Sequence, residues 1–229
     1  MKKYDGQHPL LAEQVVFSGK VVIDVGCGNG DTVRWLAAQG ALVTGLDQRD
    51  MLAKALAIPV VGTETYVEGG AQRLPFAAGS ADVILYLASF HHVPVALMPD
   101  AMQECRRVLK EEGLAVFIEP VYRAGAYSEL SSLVEDEAEA QEQARRTIRS
   151  AAAAGWRMLK EELFFMERSL ADYARLLECF VDDPGRRAAL QARALEITTR
   201  LAAEAGQGPV DFRYRSICRL NLLRQERSR

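Results

Sequence analysis

The chain has 229 residues, 49% of them hydrophobic and 26% charged, with a formal net charge of -3 and a pI near 5.7. That composition supports a sizeable globular core, and its mild acidity gives no general attraction to nucleic acid, anionic membrane or polyanionic substrates. No apolar run is long enough to span a bilayer or to form the core of a signal peptide. The cysteines Cys27, Cys105, Cys179 and Cys218 lie too far apart for metal-ligand pairs or a disulfide scaffold, so they are expected to be small apolar residues of a cytoplasmic protein.

Taken in order, the first half alternates strand and helix patterns. Strands are expected at Val21–Val25, Leu42–Leu46, Thr65–Glu68, Val83–Leu87 and Leu114–Ile118, with helices at Thr32–Gln39, Met51–Ala57 and Pro99–Lys110. Such alternation predicts an α/β fold with a parallel sheet and right-handed crossovers.

After Pro120 the pattern changes. Ser128–Ala154 reads as one long helix whose opening is rich in acids: Glu129, Glu135, Asp136, Glu137, Glu139 and Glu142 precede the first base, Arg145. These acids are either a solvated face favoured by the helix dipole or a lid over a cationic substrate. Met158–Met166 reads as a strand, Leu170–Phe180 and Pro184–Ala205 as helices, and Phe212–Leu223 as a final strand. Its one apolar and one basic face suggest a place near a sheet edge. From Arg186 onward ten arginines face four acids, but stacking aromatics are too sparse to favour nucleic acid over a solvated edge.

The most informative stretch is Val21–Asp31, VVIDVGCGNGD: a strand, a glycine turn and a helix start. Glycines allow positive φ and close ligand approach, and the helix start favours negative charge, so a small anionic or zwitterionic molecule is expected there. A dinucleotide turn requires G-x-G-x-x-G; here Asp31 stands at the third glycine, where it would repel a pyrophosphate.

VIDVGCGNGD, followed by GLD with Asp47, then LPF, FHHV and RRVLKEEG, resembles the class I S-adenosylmethionine-dependent methyltransferases, in particular the small-molecule branch of ubiquinone and menaquinone biosynthesis. The resemblance implies a Rossmann-like doubly wound sheet of seven strands in the order 3-2-1-4-5-7-6, mostly parallel with strand seven antiparallel, and helical insertions after strands five and six. It implies one domain over residues 1–229, with residues 1–20 as a candidate lid, 21–120 as the cofactor half, and 121–229 as the acceptor-side insertions plus strands six and seven.

For the cofactor, S-adenosylmethionine with S-adenosylhomocysteine as product, it implies contacts from Asp24, Gly26, Cys27, Gly28 and Gly30 around the methionine part. Asp47 would take the ribose, Gln48 and Met51 would flank adenine, and Ala71, Gln72 and Leu87 complete the set. An ionised carboxylate suits two hydroxyl donors, although Asp47 could instead cap a helix, and Met51 could be core. The chain departs from many relatives at Gly70, where an Asp would hold the adenine amino group.

The catalytic candidates implied are His91 and His92, with Glu119 at the end of strand five orienting His91; the alternative is that the histidines only pack and cap. No metal site is expected, because the loop carrying FHHV offers no acid cluster. The expected partner is a small-molecule acceptor, with no nucleic acid, no membrane span and no stated oligomer. A nicotinamide-dependent oxidoreductase and a non-catalytic S-adenosylmethionine binder are the competing readings.

Overall fold

Residues 1–122, 126–151, 155–206, 208 and 212–225 are described by a computed structural model. The elements are β1 (Lys2–Lys3), α1 (Gln7–Gln14), β2 (Val21–Val25), α2 (Asp31–Ala38), β3 (Leu42–Asp47), α3 (Arg49–Leu56), β4 (Thr65–Glu68) and β5 (Ala81–Leu87). They continue with α4 (Met98–Val108), β6 (Leu109–Pro120), α5 (Ala126–Ser131), α6 (Ala138–Ser150), β7 (Trp156–Arg168), α7 (Leu170–Phe180), α8 (Pro184–Glu204) and β8 (Tyr214–Gln225). Two short 3₁₀ turns, Phe90–His92 and Val95–Leu97, separate β5 from α4.

The strands form one sheet in the order β1-β7-β8-β6-β5-β2-β3-β4. From β7 to β4 this is the expected seven-strand order read from the other end. The pairs β2–β3, β2–β5, β3–β4 and β5–β6 are parallel, and β8 is antiparallel to both β6 and β7. The sheet has eight strands rather than seven. Lys2 and Lys3 pair in parallel with Phe164 and Phe165, and the Tyr4 amide donates to the Phe165 carbonyl at 3.0 Å, so the outer edge of β7 is partly capped. Two residues are too short to show any alternation in sequence.

Side-chain alternation along the strands divides the core. Val83 and Leu85 of β5, with Val116 and Ile118 of β6, face the layer holding Leu10 and Leu11 of α1 and Val33 and Leu36 of α2. Ile84 and Tyr86, with Ala115 and Phe117, face α4 and α6 through Met98, Met102, Cys105, Ala144 and Ile148. A third cluster joins Leu130 of α5, Tyr173 and Leu177 of α7, Ala194 of α8 and Tyr214 of β8. Helices therefore follow β6 and β7, where insertions were expected.

Two further expectations need correction. The helix expected over Ser128–Ala154 is two helices: Asp136 accepts from the Ala138 amide through Oδ1 at 3.1 Å and starts α6 afresh, a side-chain turn that competes with helix continuation. The last part of that expectation, Ala152–Ala154, lies outside the described residues. Within the candidate lid over residues 1–20, Gln7–Gln14 form a helix with Leu10 and Leu11 buried.

The helix expected to reach Lys110 stops at Val108, and β6 begins at once. β8 lies one strand in from β7, near the sheet edge as expected. Its arginine face is covered in part by Glu161, 3.2 Å from Arg219, and by stacking of Arg215 on Phe165 at 4.6 Å. Among the described residues no helix is long and apolar enough to cross a membrane, and Cys27, Cys105 and Cys218 are buried with free thiols while Cys179 is half-buried.

Leu11 is fully enclosed between α1 and the sheet, so Leu11→Ala should cost about 2–5 kcal/mol. Urea denaturation checks this, and an unchanged midpoint would show that α1 is not docked.

Candidate active site

The glycine turn follows directly from β2. Gly26, Gly28 and Gly30 all adopt positive φ, at 78°, 57° and 79°. Two of them are required by packing: a Cβ at Gly26 would run into Ser89, and one at Gly30 would lie 2.5 Å from the Tyr66 hydroxyl oxygen. Gly28 is different. Its nearest neighbour would be Met51 Cε at 3.9 Å, so this glycine is the one that opens on free space.

Asp47, at the end of β3, ties the turn down. Its Oδ2 accepts from the Gly28 amide at 2.8 Å and its Oδ1 from the Gln48 amide at 2.7 Å. Each oxygen keeps acceptor capacity beyond that one bond. Arg34 supports the turn from behind, donating to the Asn29 carbonyl at 2.8 Å and to Asp31 at 2.7 Å.

Asp24 lies buried in β2, and its Oδ1 has no hydrogen-bond partner. Burial, followed by the negative charge of Asp47, pushes its carboxyl up to about 7. Two carboxylates beside an open glycine backbone make a pocket that favours positive charge. S-adenosylmethionine, which carries an ammonium and a sulfonium, would supply the donor that Asp24 lacks and hydroxyls for Asp47. The residues present fit that cofactor.

A second cluster stands at the end of β5. Ala88 takes a left-handed conformation, φ 52°, and turns the chain into the Phe90–His92 turn. Phe90 is fully buried, stacking edge-on against Tyr86 and Phe117 at centroid distances of 5.3 and 5.2 Å. Glu119, at the end of β6, then gathers the loop. Its Oε1 accepts from the amides of Phe90 at 2.9 Å and Ser89 at 3.2 Å, while Oε2 accepts from the His91 amide at 3.4 Å and lies 2.5 Å from His91 Nδ1. His91 Nε2 faces Glu137 Oε2 at 3.5 Å, and His92 Nε2 faces Glu137 Oε1 at 3.8 Å.

The exposures grade outward: the side chain of His91 is 2% exposed, that of Glu137 22% and that of His92 56%. Burial alone would lower His91, but its hydrogen bonds to Glu119 and Glu137 outweigh burial and raise it to about 9. A protonated His91 donates from both nitrogens and has no lone pair for a further proton. His92 moves the other way, lowered by its enclosure and by His91 beside it.

Ser89 joins the two clusters. Its hydroxyl donates to the Val25 carbonyl at 2.6 Å, its side chain packs on Gly26, and its amide reaches Glu119. Asp24, Gly26, Cys27, Gly28, Gly30, Asp47 and Met51 are thus brought to one turn, and His91, His92 and Glu119 to the loop beside it. Leu87 is half-buried at the end of β5, between them in the chain.

Gln48 is exposed at the start of α3. Ala71 is buried, and exposed Gln72 lays its amide over Gly70. Ser89 and Glu137 escaped the sequence reading. Glu137 had a weak signal, as one member of an acidic run lacking nearby bases, while a serine after a strand carries none.

Residues 23–117 match the family described as "Methyltransferase domain". This stretch of the chain is a methyltransferase domain. The methyltransferase domain holds both clusters except Glu119, two residues beyond it, and Glu137. The chain is 33% identical over 113 residues to an uncharacterized methyltransferase of Synechocystis sp., a match covering 49% of this chain and 53% of that protein. It is also 33% identical over 103 residues to the ubiquinone biosynthesis O-methyltransferase of Vibrio campbellii, covering 43% of each.

The matches thus span about half the length of these curated relatives or less. Among solved structures, a candidate methyltransferase of Bacillus halodurans superposes with a TM-score of 0.66 at 16% identity, covering 97% of this chain and 100% of that one. The fold is therefore shared over nearly the whole chain, while the sequence match stops near the end of β6.

The raised carboxyl of Asp24 has a measurable consequence. The folded chain holds its proton up to about pH 7, whereas the unfolded chain releases it near 3.8. Between those values the unfolded state binds fewer protons, so stability falls as pH rises. Asp24→Asn should remove that decline. Equal slopes for both proteins in denaturation series from pH 4 to 7 would refute the assignment.

Proposed function

We propose that the protein transfers a methyl group from S-adenosylmethionine to an oxygen, nitrogen or carbon nucleophile of a small-molecule acceptor. The observation that carries this reading is the opening at Gly28, bounded by Asp47 and Met51, with the buried, unpartnered Asp24 oxygen in the strand that leads to it, and joined through Ser89 to the His91 loop.

Asp24 would accept from the ammonium of the cofactor, and Asp47 from its ribose hydroxyls. When bound, the cofactor supplies an electrophilic methyl on a good leaving group. The chain's own task is then mainly to align the acceptor and exclude water, and alignment alone is worth about 7–11 kcal/mol. His91, held between Glu119 and Glu137, fixes the acceptor side of the loop. Glu137 and His92 are placed to receive a proton where the acceptor releases one. The helices α5, α7 and α8 and the segment from Tyr4 to His8 would frame the acceptor and the cofactor mouth.

Support for the N-terminal segment comes from His8, which stacks on Trp35 of α2 at 4.5 Å and meets Thr32 at 3.2 Å. An oxygen acceptor has one further support, the likeness to the Vibrio O-methyltransferase. A cytoplasmic location and action on a dissolved metabolite accord with the mild net charge of -3.

Calorimetry with S-adenosylmethionine and, separately, with NAD⁺ tests the cofactor half. The first should bind and the second should not; the reverse would overturn the reading in favour of an oxidoreductase. Asp47→Ala should weaken S-adenosylmethionine binding by about 1–3 kcal/mol, and unchanged affinity would remove Asp47 from the site. Release of S-adenosylhomocysteine over a panel of phenols, sugars, carboxylates and amines tests the transfer. Cofactor binding without any turnover would favour a non-catalytic binder.

A further inference from the structure

Nε2 of His91, Nε2 of His92 and the Glu137 carboxylate converge at the outer end of the His91 loop, with ligand atoms all within 4.8 Å of one another. From these three side chains we infer a binding site for a single divalent transition cation of the zinc type. It bears on the acceptor half of the methyl-transfer reading and uses none of the residues of the cofactor cradle.

The donor set is the first argument. Two imidazoles and one carboxylate suit zinc and its neighbours rather than magnesium or calcium, which prefer oxygen throughout. Spacing is the second. Bonds of about 2.0–2.1 Å in tetrahedral geometry put neighbouring donors about 3.3–3.5 Å apart. The His91–Glu137 and His92–Glu137 separations are 3.5 and 3.8 Å, to the two different carboxylate oxygens, and all three donors lie within 4.8 Å of one another, so closure around an ion needs side-chain movement on the order of an ångström.

The third argument is the support behind the ligands. A metal-bound histidine usually gives its other ring N–H to a carboxylate, which fixes its tautomer and orientation. His91 does this with Glu119, which is itself anchored by three backbone amides. Glu137 is also steadied, accepting from Gln141 Nε2 at 3.1 Å.

Access is the fourth. Half-exposed His92 leaves the cluster open to solvent on one side. In the free chain a proton on His91 Nε2 can bridge to Glu137, and a divalent cation would displace it, as metal ligation of imidazole requires. Three protein ligands leave a fourth position for water or for an acceptor oxygen, whose pKa the cation would lower. Glu137 comes from the start of α6, so the site exists only once that helix is packed against the loop.

The test uses the full chain, stripped with a chelator and titrated with zinc chloride or cobalt(II) chloride, with neither cofactor nor acceptor present. The expected result is uptake of one ion per chain, with cobalt giving the visible absorption of a tetrahedral site. Glu137→Gln and His92→Asn should each weaken binding at least tenfold. Glu119→Gln should weaken it by about 10–100-fold through His91.

The chain has three histidines, and His8→Ala should leave uptake unchanged. Circular dichroism and melting on each variant separate lost ligands from lost folding, and exposed His92 makes His92→Asn the variant best tolerated. Uptake that is absent from the wild type, or that survives a folded His92→Asn/Glu137→Gln double variant, overturns the site. Because no cofactor is present, that failure would leave the methyl-transfer reading standing, and failure of methyl transfer would leave the ion titration intact.

Discussion

The geometry of the acceptor side depends on one buried carboxylate. Glu119 is 5% exposed at the end of a central strand, and an uncompensated charge there would be costly. It is compensated by the amides of Ser89, Phe90 and His91 and by the His91 ring. Hydrogen bonds to a charged group contribute about 1.5–3 kcal/mol each. The loop after β5 is therefore held from beneath by the neighbouring strand. Phe90 locks it from the side, and Ser89 passes its position on to the glycine turn. The glycine turn and the histidine pair are registered against each other by adjacent parallel strands and by the contacts of Ser89.

Much of this was legible in the sequence because it is local. The run from Val21 to Asp31 encodes a strand, a turn and a helix within eleven residues, and Asp47 follows at the end of the next strand. The α/β alternation was accessible for the same reason, and the order of seven strands was implied by the family resemblance that those motifs carry. What escaped depends on distant partners. Glu137 is 18 positions beyond Glu119, in a segment whose acids look alike in sequence, and only the packing of α6 against the loop selects it. The break before α6 rests on one Asp136–Ala138 bond. The edge pairing of Lys2 and Lys3 has no pattern to read.

Beta-strand eight carries its alternation one strand in from the edge of the main sheet. Its alternation of apolar residues with arginines is real, and in a two-layer fold it suggests a solvated side. Arg219 meets Glu161, and Arg215 stacks on the Phe165 ring while staying exposed, so the basic face is partly covered and partly solvated. Long arginine stems can cover apolar surface while their heads find partners. Charge alternation alone does not distinguish the outermost strand from the one beside it.

The place of β8 also bears on how the chain reaches this fold. It is the last of the described strands in sequence, yet it lies between β6 and β7, pairing along the whole of β7 and with Leu114–Pro120 of β6. Until residues 214–225 are available, those two strands have no bridge, and α5, α7 and α8 lack the Tyr214 side of their shared core. During synthesis the amino-terminal half can pair β2, β3, β4, β5 and β6 as it emerges, while the remainder waits with open strand edges. Such late, long-range pairing slows folding and prolongs exposure to aggregation. The amino-terminal half of the sheet can thus assemble early, and the carboxy-terminal half is completed by a single late insertion.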